Sequence, residues 1–79
     1  YVFSYNNLGN IYFGLRRFDE AIQQYNTALK YDPNQSNTYK NRGAAKLALQ
    51  RKAEACADFE TSMKMGDPEG KDAFMHVCQ

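Results

Sequence analysis

Between residues 2 and 15, Val2, Tyr5, Leu8 and Tyr12, with Gly9 beside them, recur every three or four positions, the spacing of one helix face. Ala21, Ile22, Tyr25, Ala28 and Leu29 form a second stripe of the same period. Between the stripes lies Gly14-Leu15-Arg16-Arg17-Phe18, and Leu49-Gln50-Arg51-Lys52 plays the same part further on. Connections this short force neighbouring helices to run antiparallel. Asp32-Pro33 and Asp67-Pro68 punctuate the pattern, because the residue before proline is pushed out of the helical region while proline suits a first helical turn. The pattern predicts helices near 2–15, 18–31, 35–49, 53–65 and 69–78.

Displacing the chain by 34 residues on itself pairs Tyr5 with Tyr39, Gly9 with Gly43, Leu15 with Leu49, Ala21 with Ala55, Tyr25 with Phe59 and Ala28 with Ser62. The first copy reads Y-x2-L-G-x2-Y … A-x3-Y-x2-A … P, carried by Tyr5, Leu8, Gly9, Tyr12, Ala21, Tyr25, Ala28 and Pro33. This spacing resembles the tetratricopeptide repeat (TPR), with Tyr in place of the usual Trp. The second copy departs from it at Arg42, Lys46 and Asp67, and its proline arrives one residue late at Pro68. The resemblance implies an all-α fold, a right-handed α-α superhelix of helical hairpins, in a single domain over 1–79. Its first repeat would span about 2–35 and its second about 36–69, followed by a capping or truncated repeat helix about 69–78. The chain opens at Tyr1, inside a periodic segment, and is expected to be a piece of something longer, with Tyr1, Val2 and Phe3 covered by upstream repeats or a partner.

Packing expectations follow from residue size. Gly9 and Gly43 are expected to face Ala21 and Ala55 across each hairpin, with Tyr25 and Phe59 filling the wider gap beyond. Arg42 and Lys46 would lay their alkyl stems along the core with charged ends in water, or Arg42 would pair with Asp32 or Asp58. In the last segment Asp67 is expected to cap the helix before Pro68. Ala73, Met75 or Phe74, and Val77 would then cover the second hairpin while Lys71 and Asp72 face water.

Composition narrows the chemistry. A 79-residue chain buries only about 60–65% of the surface it exposes when unfolded, so its core must be small. With 43% hydrophobic and 24% charged residues it suits a folded chain, and its six Tyr and five Phe supply much of the packing. The formal net charge is +1 with signs interleaved, and the largest basic clusters are Arg16-Arg17 and Arg51-Lys52. A phosphate-binding surface needs a basic stripe, so no nucleic-acid partner is expected. No apolar run reaches the length of a membrane span, so no membrane partner is expected either.

Cys56 and Cys78 stand far apart and form no C-x-x-C pair, which signals neither a disulfide framework nor a metal site. Cys56 reads as a small buried or boundary residue, and a reduced, cytoplasmic setting is expected. His76 and Cys78, two residues apart on a helix, point to different sides and make no nucleophile pair. Asp19, Glu20, Asp58 and Glu60 read as solvated helix faces, and Gly9, Gly14 and Gly43 form no phosphate-cradling loop. The expectation is a chain that is not an enzyme, with no catalytic residue and no cofactor.

A surface remains. In stacked hairpins the first helices of successive units line a concave groove. Its candidate residues are Phe3, Asn6, Asn10 and Phe13 from the first unit, with Asn37, Lys40, Asn41, Ala44 and Ala48 from the second. Asn amides suit the backbone of a bound peptide, and Phe3 and Phe13 would add apolar contact. The expected partner is a protein or peptide. Some chaperone-binding TPR domains hold a C-terminal carboxylate with Lys, Asn, Asn, Lys and Arg. By repeat position Asn10, Asn41 and Lys71 match three of these, while Asn6 and Met75 replace the first Lys and the Arg. Two other roles are compatible with the residues. One is an assembly element that self-associates through exposed repeat ends; the other is a regulatory segment of a larger enzyme.

Overall fold

In a computed structural model the described residues are 2–78, with side chains from Tyr5 onward. They form α1 (Val2–Gly14), α2 (Phe18–Tyr31), α3 (Ser36–Ala48), α4 (Lys52–Lys64) and α5 (Pro68–Val77), and include no strand. The fold is all-α and TPR-like. Each helix packs on the next in the chain, and α3 also touches α1 and α5.

The helix ends repeat one device. Arg16 donates its backbone N–H to Phe13 O at 3.0 Å and Arg17 donates to Tyr12 O at 2.9 Å. Displaced by 34 residues, Gln50 donates to Leu47 O and Arg51 to Lys46 O, both at 2.9 Å. Gly66 and Asp67 close α4 in the same way on Met63 O and Ser62 O. This arrangement satisfies the orphan carbonyls of a helix end and demands a left-handed residue at its centre. Those residues are Arg16 (φ 61°), Gln50 (φ 62°) and Gly66 (φ 94°). Only the last is glycine, and Gly14 is the final residue of α1. The end of α2 is closed differently, by a side chain: Gln35 Nε2 donates to Ala28 O at 3.1 Å and to Asp32 O at 2.9 Å.

The core centres on Ala21, Ile22, Tyr25 and Ala45, with Tyr12, Phe13, Phe18 and Leu49 packed around it. Ala55 and Phe59 are buried in the second hairpin. What each hairpin glycine makes room for is an aromatic ring. A Cβ on Gly9 would sit 2.6 Å from Tyr25 Cε1, and one on Gly43 would sit 2.8 Å from Phe59 Cε1. Tyr25 and Phe59 therefore lie over the glycines, not beyond them, and the Ala55 carbonyl comes within 3.1 Å of the Gly43 position.

Arg42 finds its partner in Asp58: Nε donates to Oδ2 at 2.9 Å and Nη2 to Oδ1 at 2.7 Å, while Nη1 reaches Asn26 Oδ1 at 2.8 Å. Lys46 Nζ approaches Asp58 Oδ2 at 3.2 Å. The Asp58 hydrogen bond pushes the Arg42 guanidinium further up in pKa, with burial opposing it. Asp58 itself, expected on a solvated face, is buried.

The last helix begins as its residues predict. Asp67 Oδ1 accepts from the backbone N–H of Glu69 at 3.0 Å, with Pro68 in the first turn. Gly70 is buried against Ser62, whose Oγ donates to Asp67 Oδ2 at 3.2 Å. The cysteine expectation is overturned: Cys56 and Cys78 form a disulfide, with Cα atoms 5.7 Å apart. Cys56 stands eleven residues before Asp67 and Cys78 eleven after it. Two antiparallel helices folded about that turn bring such positions to the same height, a relation that no C-x-x-C spacing reveals.

Candidate functional site

Tyr25 is wholly buried at the centre of the first hairpin, yet its hydroxyl needs a partner. It donates to Asn10 Oδ1 on α1 at 2.6 Å, and Asn41 Nδ2 on α3 donates to the same oxygen at 3.1 Å. Three helices thus meet at one carbonyl oxygen. With both its lone pairs engaged, the Asn10 amide is held in one orientation; Asn10 is exposed and Asn41 half-buried. Burial pushes the Tyr25 phenol up to about 12, so it remains a donor throughout the ordinary pH range. One turn before Asn10, Asn6 Oδ1 is buried and has no hydrogen-bond partner among the described residues.

The remaining expected groove residues separate. Asn37 is exposed, and with Asn41, Ala44 and Ala48 it follows one face of α3. Lys40 is held by an ion pair to Glu69, which fastens α3 to α5 and occupies the cation. Phe13 is half-buried, edge-on to Phe18 with ring centroids 5.3 Å apart, and belongs to the rim of the core. The Phe3 side chain lies outside the described residues. Lys71 is exposed, and no group of three or more His, Cys, Asp or Glu among the described residues could hold a metal ion.

Tyr25 was legible as core but not as a part of the site; its phenol, where the second unit carries Phe59, is the one trace of that role in the sequence. Away from the expected groove residues, Leu8 and Ile11 on α1 and Leu15 just after it leave an apolar stripe, with Ile11 58% and Leu15 61% exposed. The residues 34 positions later from the last two, Ala45 and Leu49, pack into the core against α2.

The tetratricopeptide repeat family model matches residues 2–35, the stretch that holds Asn6, Asn10 and Tyr25. The chain belongs to the tetratricopeptide repeat family. It is 33% identical over 64 residues to mouse DnaJ homolog subfamily C member 7, covering 81% of this chain and 13% of that protein. To human tetratricopeptide repeat protein 6 it is 39% identical over 51 residues, 65% of this chain and 10% of the relative. The chain therefore spans a small fraction of the TPR proteins it matches. Among solved structures, the first TPR of Spaghetti (RPAP3) bound to the HSP90 peptide SRMEEVD aligns with a TM-score of 0.49 at 22% identity, covering 99% of this chain and 90% of that one.

Proposed function

We propose that this TPR chain is a non-catalytic protein-protein interaction module that binds an extended peptide or partner segment on the face shared by α1 and α3. The observation that carries the reading is the Asn10 oxygen held by Tyr25 and Asn41. An amide oriented in advance loses little conformational freedom when it meets a ligand, and its donors and the Asn41 acceptor match the N–H and C=O groups of a peptide backbone. In this reading the chain comprises two repeats, about 2–35 and 36–69, closed by a helix over about 69–78.

The test is a peptide array probed with the wild-type chain, including SRMEEVD as free acid and as C-terminal amide. Peptides selected on wild type should bind the Asn10→Ala/Asn41→Ala variant about tenfold more weakly, as expected for two lost hydrogen bonds. Far-UV circular dichroism should be unchanged. Equal affinity for both proteins removes the groove. Because Asn6 and Met75 stand where a carboxylate clamp carries cations, the acid and the amide should bind alike.

The exposed Leu8, Ile11 and Leu15 favour a second reading, in which α1 takes a further helix, from another repeat or from a copy of this chain. Mass by light scattering should then rise with concentration, and a monomer at high concentration would exclude the copy. The proposed setting is the cytoplasm, although the Cys56–Cys78 bond removes the cysteine argument for it, because disulfides persist in oxidising compartments and are rare in the cytosol. Recovery of the tagged protein from a secretory lumen would overturn that placement.

A further inference from the structure

We propose that Cys56 and Cys78 are a thiol-exchange site that governs whether the far half of α5 stays closed over α4. Several ties of α5 gather at its first turn: the Asp67 cap, the Ser62–Asp67 hydrogen bond, the close seat of Gly70 on Ser62 and the Lys40–Glu69 ion pair. Beyond Gly70 the helix rests on Ala73, Phe74 and Val77, each only half-buried, and its last turn ends in the covalent link to α4. A helix of ten residues does not persist by itself in water, so its C-terminal half depends on what holds it to α4.

Both cysteines are partly exposed, at the edge of the α4/α5 interface and not inside it. A small thiol of the glutathione or dithiothreitol class can reach them. Its thiolate attacks one sulfur, forming a mixed disulfide and releasing the other cysteine; a second thiol then releases the first. In sum, two thiols give up two electrons and become one disulfide, while the Cys56–Cys78 bond takes up those electrons and two protons. Opening at the C-terminal end uncovers α4 around Cys56 and leaves the first turn of α5 pinned.

The pattern of protection distinguishes a local clasp from a general staple. Amide hydrogen exchange is followed on the chain oxidised with glutathione disulfide, on the same chain in dithiothreitol, and on the Cys56→Ser/Cys78→Ser variant under both conditions. The expected result is exchange at least about tenfold faster over residues 72–78 in the reduced chain, with α2 unchanged and the variant matching the reduced chain throughout. Equal protection of 72–78 in both redox states overturns the proposal. So does loss of protection across α2, which would make the bond a staple for the whole fold, or two titratable thiols after oxidation, which would mean that no bond forms.

Discussion

The two hairpins share a geometry and differ in how they hold it. In α1–α2 the joint is apolar and aromatic: Tyr25 lies over Gly9, with Ala21 and Ile22 around it. In α3–α4, Phe59 lies over Gly43 in the same manner, but the flank carries Arg42 and Lys46 where the first hairpin has Leu8 and Tyr12. Their charges converge on Asp58, which is buried. Leu8 and Tyr12 reach the surface or the rim of the core, whereas the alkyl stems of Arg42 and Lys46 are largely covered. The glycine-and-ring contact sets the shape of the hairpin, and its flank can be closed by either chemistry. An ionic flank has a different weakness from an apolar one, because it fails when one member is lost.

That weakness sets the largest expected effect. Asp58→Ala leaves the covered Arg42 without its acid and Lys46 with only Glu54, 4.0 Å away, and should cost about 3–5 kcal/mol, read as a lower urea midpoint. Arg42→Leu/Lys46→Tyr/Asp58→Gln rewrites the flank with the residues found 34 positions earlier, and should range from neutral to about 4 kcal/mol more stable than wild type. A large loss in that triple variant would show that the second hairpin needs its charges.

The shared joint comes next. Gly9→Ala and Gly43→Ala each place a methyl against a buried ring and should cost roughly 1–3 kcal/mol, whereas Gly14→Ala, with nothing within 4 Å, should not destabilise. Thermal denaturation of the three variants would break the parallel between the hairpins if Gly9 and Gly43 responded in opposite directions.

A smaller gain is expected at the turns. Arg16→Gly and Gln50→Gly relieve a left-handed backbone held by a residue with a Cβ, and should each add about 1 kcal/mol or less. The last effect shows only at alkaline pH and separates Tyr25 from Phe59. Folding raises the Tyr25 pKa to about 12, so the neutral phenol is favoured in the native state. The unfolded chain loses that proton first. The resulting stability is fully present below about pH 10 and is lost as pH rises through about 12. A Tyr25→Phe variant, followed beside wild type by denaturant melts across that window, should lack this part of the alkaline decline.

Helical periodicity, the short connections and the two Asp-Pro steps were enough to place the helices to within a residue or so at most ends, because each depends on neighbours in sequence. The pairing of Gly9 with Gly43 and of Tyr25 with Phe59 likewise follows from spacing alone. The proposed groove was half legible. Asn10 and Asn41 could be put on the first helices by counting, but the hydroxyl that orients them comes from a core residue on α2, whose reach across the hairpin is a property of packing.

Sequence alone therefore determined the local elements of this protein: where helices start, which faces are apolar and how hairpins recur, since these depend on interactions a few residues long. Tertiary structure decided the rest. The convergence of Tyr25 and Asn41 on Asn10, the choice of Asp58 over Asp32 by Arg42, and the joining of Cys56 to Cys78 all depend on which side chains antiparallel helices bring to the same height. That height is set by turn geometry and ring packing, which residue spacing along one helix does not encode.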